Sequence, residues 1–181
     1  DYPQPPRGEA ARNDLFVLGQ GLRNAGRRVE MRPELGWARV KPGPRDTMII
    51  ATNLDELPRT DQRRLLAWVM AGGHLVMQTP TSDAFGWGET ASQMRSGDFT
   101  EALGLTLAPR KPCIRLQMQG DEVHEEFCYG VRVASATTPF LASLRDHGDL
   151  AGYPYVRIAH GRGTVDVLAT FDMFDNDSAA D

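Results

Sequence analysis

The sequence predicts an α/β fold with a mainly parallel sheet to which antiparallel hairpins are added. The first observation is a strand, helix and strand succession over residues 47–79, in which Gly72-Gly73 ends the helix. Such a unit places its two strands in parallel in one sheet. The second observation is a pair of hairpin patterns, at 113–128 and 155–170, each too short to contain a crossover helix. Parallel and antiparallel strands are therefore expected together.

The N-terminal part predicts an extended lead-in followed by a helix. Residues 1–8 contain too many prolines for a helix. From Asn13 onward the apolar residues recur at helical spacing, and Asn13 itself is a suitable cap for the first turn. Gly26 is expected to end this helix. Residues 28–32 then alternate between polar and apolar side chains, which predicts a strand.

The central part contains the clearest helix. A continuous apolar run at 47–52 predicts a strand covered on both faces. Thr60 is the expected N-cap of the helix that follows, with Asp61 in its first turn. Its buried stripe is predicted to be Leu65, Leu66, Val69 and Met70, with Trp68 beside the stripe in the core. Residues 74–79 predict the next strand.

The second half is less regular. Residues 81–97 predict a loop, and 98–103 a short helix in which Asp98 and Glu101 have capping-box spacing. Thr138 and the proline after it predict a second short helix over 138–144. Residues 155–159 and 164–170 predict the strands of a hairpin around Gly161-Arg-Gly163. A polar tail is expected at 176–181.

The two cysteines lie at the ends of the first hairpin pattern. If Gly120-Asp121 forms a two-residue turn, opposed positions sum to 241, so Cys113 faces Cys128 and Arg115 faces Glu126. Opposed Cα atoms are about 4.5 to 5.5 Å apart, which is within reach of a disulfide. A disulfide would indicate a periplasmic or extracellular location. Two unrelated core thiols are the alternative.

Charge and motif content exclude several classes of function. The net charge of −4, with 20 basic and 24 acidic residues, offers no basic patch, and nucleic-acid binding is not expected. The four histidines are scattered and no CxxC motif occurs, so no metal is expected. The acidic residues near the end, 172–177, match no calcium loop. Gly161-Arg-Gly163 lacks the context of a dinucleotide loop, and no cofactor is predicted.

Ligands of an open α/β sheet gather beyond the carboxyl ends of its strands. In this sequence Asn53, Thr79 and Asp172 are expected at that edge. No Gly-x-Ser/Cys-x-Gly elbow occurs, so no catalytic residue is predicted there. The hydroxyls at 79–82 are more simply loop or helix caps. Arg12 and Asn13 lie at a helix N-terminus, which favours anions, although a cap alone explains Asn13.

A family resemblance adds to this picture. It is carried by four segments, Glu9–Leu15, Leu22–Val29, Arg64–Val76 and Gly161–Asn176. In this order they resemble the landmark segments of the bacterial domain-of-unknown-function family 4350. The resemblance implies a three-layer fold similar to class I glutamine amidotransferases or flavodoxins, with membrane helices before and after the domain. It carries over Asn13, Asp172 and Asn176, while Asp14 stands where the family often has proline.

The resemblance does not imply amidotransferase activity, because neither Cys113 nor Cys128 lies on an elbow. We therefore expect one α/β domain over 1–181 with a hairpin addition at 112–134. It is expected to be non-catalytic, held at the extracytoplasmic, periplasmic face of the membrane by flanking helices. The expected partner is a membrane protein or a small polar ligand. The predicted binding residues are Arg12, Asn13, Asn53, Thr79, Asp172 and Asn176.

Two other functions compete with this one. The first is a degenerate or unconventional amidotransferase-like hydrolase that uses the same cleft, which would require a base within hydrogen-bond reach of a nucleophile. The second is a carbohydrate-binding or cell-wall-binding domain, with Trp37, Trp87 and Tyr153 as loop aromatics.

Overall fold

The computed structural model describes residue 8 and residues 13–37, 41–80, 97–108, 114–117, 123–126, 131–144 and 152–174. Contacts divide the chain into two units, 1–40 with 171–181, and 41–170. The helices are α1 (Phe16–Asn24), α2 (Arg59–Met70) and α3 (Asp98–Ala102), with short 3-10 helices at Leu54–Glu56 and Asp172–Phe174. The strands are β1 (Thr47–Ile50), β2 (His74–Gln78), β3 (Leu105–Ala108), β4 (Ile114–Gln117), β5 (Val123–Glu126), β6 (Arg132–Ala136), β7 (Phe140–Leu144), β8 (Tyr155–His160) and β9 (Gly163–Leu168).

The first unit contains α1; its predicted end at Gly26 is confirmed, whereas the predicted cap is wrong, because Leu15 and not Asn13 is the N-cap. The Asn13 side chain accepts a hydrogen bond from the Leu15 amide at 3.1 Å. At the other end Gly26 has φ of 77°, and the amides of Gly26 and Arg27 donate to the carbonyls of Arg23 and Leu22. This is the paired-bond termination that glycine permits.

The strand predicted at 28–32 is wrong. These residues alternate in exposure but pair with no strand in the part of the chain that the structure describes, and a strand needs a ladder partner to satisfy its backbone. The alternation instead turns Met31 onto α1, where a Cβ on Gly19 would lie 2.6 Å from the Met31 sulfur.

The second unit is built on a five-stranded sheet of order β1-β2-β9-β8-β7. β1, β2 and β9 are parallel, whereas β8 is antiparallel to both β9 and β7. The sheet is therefore mixed, and the predicted class of parallel strands with antiparallel additions is confirmed at this level. One face is apolar and buried, formed by Leu75, Met77, Val156, Ile158, Val165 and Val167.

Three details of the predicted strand-helix-strand unit are wrong. β1 is an edge strand, and Ile49 is exposed, so the apolar run at 47–52 is not covered on both faces. In α2, Pro58 is the N-cap and Thr60 lies inside the helix. Its buried stripe is Gln62, Leu65, Trp68 and Val69, while Met70 is 54% exposed. The predicted core position of Trp68 is confirmed, and its indole donates to the Gly43 carbonyl at 2.8 Å.

The C-terminal end of α2 is joined to the turn between β8 and β9. The Arg162 amide donates to the Met70 carbonyl at 3.1 Å, and its guanidinium donates to Ala71 at 3.2 Å. A Cβ on Gly163 would overlap the carbonyl oxygens of Val69 and Gly73, so only glycine allows this approach. The predicted hairpin at 155–170 is confirmed, and its turn closes the helix end.

The predicted helix at 138–144 is wrong, because Phe140–Leu144 is the strand β7. Its pairing with β8 provides backbone partners along an exposed edge, and this tertiary pairing overrides the local cap and proline signal. Phe140 packs edge-on against Tyr153, with ring centroids 4.9 Å apart. A further antiparallel pair, β3 with β6, was not predicted.

The predicted helix α3 is confirmed, but its capping box is wrong. No side chain within α3 caps its N-terminus. The carboxylate of Asp55 does so instead: one oxygen accepts from the amides of Phe99 at 2.8 Å and Thr100 at 3.2 Å. The other accepts from the Thr100 hydroxyl at 2.7 Å.

The cysteine hairpin forms a separate two-stranded antiparallel sheet, β4 with β5, in a register different from the predicted one. Arg115 faces Glu125 and Gln117 faces Val123, so opposed positions sum to 240 rather than 241. An even sum is incompatible with a regular two-residue turn, which requires an odd sum. Cys113 and Cys128 lie outside the described residues. The observed register no longer supports opposing them, and their disulfide stays a prediction.

Candidate functional site

The second face of the five-stranded sheet carries a row of polar and small side chains. Register pairs Val76 with Asp166, Asp166 with Arg157, and Arg157 with Ala142 across four neighbouring strands. Directly opposed residues share a face of the sheet. His74 and Tyr155 lie on the same face one pleat away from this row, because each is two residues from a member of it.

Asp166 is the centre of a hydrogen-bonded cluster on this face. Only 5% of the residue is exposed. One carboxylate oxygen accepts from Arg157 Nε at 2.6 Å and from the Tyr155 hydroxyl at 3.0 Å. The other accepts from Arg157 Nη2 at 2.7 Å and lies 2.7 Å from His74 Nε2. Each oxygen has two partners, so the carboxylate is saturated.

The cluster shifts the ionisation of its members. Burial alone would raise the pKa of Asp166, but the hydrogen bonds from Arg157, His74 and Tyr155 outweigh it, so the pKa is lowered. Burial, and next the Asp166 charge, raise the pKa of the Tyr155 hydroxyl. The hydrogen bond to Asp166 raises the pKa of Arg157 further above its usual value. Asp166 is therefore a stable anion and Arg157 a permanent cation.

His74 also contacts a hydroxyl. Its Nδ1 lies 3.1 Å from Thr47 Oγ1, so Thr47, His74 and Asp166 form a hydroxyl–imidazole–carboxylate chain across three parallel strands. With Nε2 protonated toward Asp166, Nδ1 accepts from Thr47. Thr47 and His74 are the first residues of β1 and β2. This hydrogen-bonded chain of side chains thus lies toward the amino ends of β1 and β2, away from their carboxyl ends.

The predicted edge residues in the second unit bond within the protein. Thr79, 2% exposed, directs its hydroxyl to the carbonyls of Val131 at 2.6 Å and Ala169 at 3.1 Å. Asn53 follows β1; its side-chain oxygen accepts from the Asp55 amide, and its amide donates to Glu56, both at 3.1 Å. Asn53 and Thr79 follow neighbouring parallel strands, as predicted.

The remaining predicted site residues belong to the first unit or lie outside the described residues. Asn13 lies in the turn before α1, where its side chain accepts from the Leu15 amide, and Asp172 begins the 3-10 helix at 172–174. Arg12 and Asn176 lie outside the described residues, as does Trp87. Within the described ranges, no group of three or more His, Cys, Asp or Glu side chains is arranged to hold a metal ion. None of the helices in those ranges is long and apolar enough to cross a membrane.

Sequence reasoning missed the Asp166 cluster. His74 and Asp166 are 92 residues apart, and only the placement of β9 beside β2 brings them together. One signal was available. Asp166 is a charged residue inside an otherwise apolar strand, and a charge in such a strand is expected to be paired.

The fold and this site define a mixed α/β domain in which the buried side chains of Asp166 and Thr79 form hydrogen bonds within the protein. The chain belongs to the family described as Domain of unknown function (DUF4350), whose model matches residues 8–181. No curated protein matches it.

Among solved structures, the chain is similar to the exo-β-1,4-mannosidase Op5Man5 from Opitutaceae bacterium strain TAV5, with 18% identity and a TM-score of 0.52. The match covers 94% of this chain and 28% of the mannosidase chain. At this identity the likeness shows the fold alone.

Proposed function

We propose that this chain is a non-catalytic α/β domain of a membrane-tethered, extracytoplasmic protein, and that it binds a partner protein or a small polar ligand. One observation carries the non-catalytic part. The buried or half-buried groups best suited to chemistry, Asp166, Asp55 and Thr79, are engaged in internal hydrogen bonds. Groups used in this way hold strands and helices in place and are not available to substrate.

The charge balance around Asp166 also supports a structural role. In a catalytic triad the carboxylate orients the imidazole and stabilises the imidazolium that forms. Here a two-pronged Arg157 contact already offsets the Asp166 charge. An offset carboxylate stabilises a positive imidazole less than a lone one. The arrangement therefore suits a fixed cross-link between strands better than proton transfer.

The proposed binding edge is the carboxyl end of β1 and β2. Thr52 is exposed there and Asn53 is half-buried. The proposal extends to a three-layer, glutamine amidotransferase-like fold, which the parallel order of β1, β2 and β9 supports. The membrane tether rests on the family resemblance, in which helices flank the domain.

A photo-crosslinking amino acid at Thr52 in the full-length protein, in its native membranes, tests partner binding. We expect a specific adduct from Thr52 and none from Arg63, a matched exposed position on α2. Equal labelling from both positions, or from neither, would argue against a partner at this edge.

Fusing a periplasm-dependent reporter enzyme to the domain tests the location, and an inactive reporter would contradict it.

The hydrolase alternative has one observation in its favour, the contact of Thr47 with His74. Thr47→Val removes the hydroxyl and keeps the side-chain shape, and His74→Ala removes the base. We expect both variants to equal the wild type against a panel of amides, esters and glycosides. Any turnover that both variants abolish would establish the hydrolase and reject the non-catalytic proposal.

A further inference from the structure

The Arg157 side chain is held in one orientation by a buried partner. Its Nε and Nη2 both donate to Asp166, whose side chain is 8% exposed. The Tyr155 hydroxyl and His74 fix that carboxylate from two further directions. A guanidinium is planar, so two bonds along one edge fix its whole plane.

The guanidinium has a second donor edge, formed by Nη1 and Nη2, which we call the outward edge because it is not the edge that binds Asp166. The Arg157 side chain is 41% exposed, and within the described residues its hydrogen bonds all go to Asp166. Its Nη1 and the second N–H of Nη2 therefore form a second pair of parallel donors. Such a pair matches the two oxygens of a carboxylate.

Among the described residues, two neighbours of Arg157 on this face of the sheet are small. Ala142 lies directly opposite Arg157 on β7, and Ala159 is the next residue of β8 on the same face. Both alanines are exposed. Two methyl groups cover little of the sheet, so these two neighbours leave the guanidinium open to a ligand, in keeping with the 41% exposure of the Arg157 side chain.

We propose that the outward edge of the Arg157 guanidinium is a binding site for the carboxylate of a singly charged ligand. Asp166 offsets the charge of Arg157, so the two directed N–H donors hold the ligand rather than a net charge, and a monoanion is repelled less by Asp166 than a phosphate dianion. The arginine is already ordered, so binding loses little side-chain entropy. This site lies on the face of the sheet and is independent of the edge at Thr52.

The carboxylate has two potential sources, a small free acid and an acidic side chain of a protein partner. Nitrogen-15 NMR of the Arg157 Nε–H in the wild-type chain distinguishes them. The probes are acetate, the peptide acetyl-Ala-Glu-Ala-amide, its glutamine counterpart, and chloride at matched ionic strength. We expect acetate and the glutamate peptide to shift the signal, and the glutamine peptide and chloride to leave it.

The concentration dependence identifies the source. A glutamate peptide that acts at about tenfold lower concentration than acetate indicates a protein partner, and equal concentrations indicate a free acid. Arg157→Lys keeps the charge and removes the fork, so acetate binding, followed in this variant through the backbone amide signals of Ala142 and Ala159, should weaken about tenfold. Arg63→Lys, on the exposed face of α2, should leave binding unchanged.

An unmoved Arg157 signal, or an equal response to chloride, would overturn the proposal. Full acetate binding by the lysine variant would overturn it as well. The wild-type titration reports on the site even where the lysine variant fails to fold. If the Arg157 signal shifts and no adduct forms at Thr52, the carboxylate site is supported and the binding edge at Thr52 is rejected.

Discussion

At the scale of single residues, Asp166 joins three side chains, Arg157, Tyr155 and His74, that come from different parts of the sheet. Its four contacts are 2.6 to 3.0 Å long, and it is buried. Removing the charge leaves Arg157 and His74 without their common partner. Because the Arg157 side chain is 41% exposed, water forms hydrogen bonds with it and offsets part of the lost stability.

Asp166→Asn is therefore expected to lower the free energy of unfolding by about 2 kcal/mol, since charged hydrogen bonds at a buried group are lost. Urea denaturation measures the change. Asp61→Asn is the matched control, because Asp61 pairs with Arg64 at 3.6 Å on the surface of α2. It should cost less than about 1 kcal/mol. Equal effects of the two variants would mean that the cluster adds no stability.

The lowered pKa of Asp166 also predicts a pH dependence. Burial opposes this shift, and the hydrogen bonds from Arg157, His74 and Tyr155 produce it. A group whose folded pKa is depressed contributes stability above its unfolded pKa, about 4, and loses it as the pH falls through the folded pKa. Wild-type stability should fall more steeply than that of Asp166→Asn below about pH 4. Parallel urea midpoints from pH 6 to pH 3 would contradict this.

At the scale of elements, α3 begins on a carboxylate that is distant in sequence. Asp55 accepts hydrogen bonds from the amides of Phe99 and Thr100, and Gly97 has no room for a side chain beside it. Asp55→Ala should destabilise the domain by about 1 to 2 kcal/mol, the usual cost of a lost cap. Faster hydrogen exchange at Phe99 and Thr100 would locate the effect.

Asp98→Ala is the control for that experiment. Asp98 lies at the first position of α3 and would be the cap if the capping-box prediction held. With the described residues it makes an exposed ion pair to Arg59. We expect its loss to change stability by less than about 0.5 kcal/mol. If Asp98→Ala lowers the free energy of unfolding more than Asp55→Ala does, the capping-box prediction is supported instead.

Two glycines provide a matched pair at the same scale. Gly163→Ala would bring a methyl group against the backbone of α2 and should cost about 3 kcal/mol or prevent folding. In Gly21→Ala, within α1, the new methyl group meets no atom within 4 Å. It should stabilise the protein by about 0.5 to 1 kcal/mol through helix propensity. Thermal unfolding would reveal the opposite signs.

The sequence predicted elements that carry their own signals. The termination of α1 at Gly26, the approximate span of α2 and the hairpin around Gly161 each depend on residues close in the chain. It failed where a distant partner decides. Phe140–Leu144 is a strand because β8 lies beside it. Residues 28–32 are not a strand, and no strand of the described ranges lies beside them.

The candidate site was less predictable than the fold. Parallel strands correctly placed Asn53 and Thr79 at one edge, but spacing could not show that Thr79 is buried with its hydroxyl engaged. The Asp166 cluster depends on the order β2-β9-β8, which local periodicity does not contain. The hairpin register was wrong by one position because it relied on an assumed turn.

At the scale of the whole molecule, the chain divides into two units with very different cores. Of the buried apolar residues in the described part of the chain, all except Phe171 belong to 41–170. A five-stranded sheet with a packed helix exceeds the minimum for independent folding. The fragment 41–170 is therefore expected to give dispersed amide NMR signals and a cooperative thermal transition. A collapsed spectrum would show that it depends on the other segments.

The junction between Arg162 and the end of α2 has a consequence for biosynthesis. The carbonyl of Ala71 receives its guanidinium partner from a residue translated 91 positions later. The central strand β9 follows immediately after that residue. During synthesis, α2, β1 and β2 are therefore expected to keep their apolar faces exposed until β8 and β9 have left the ribosome. Chaperone capture of the nascent chain should persist until then.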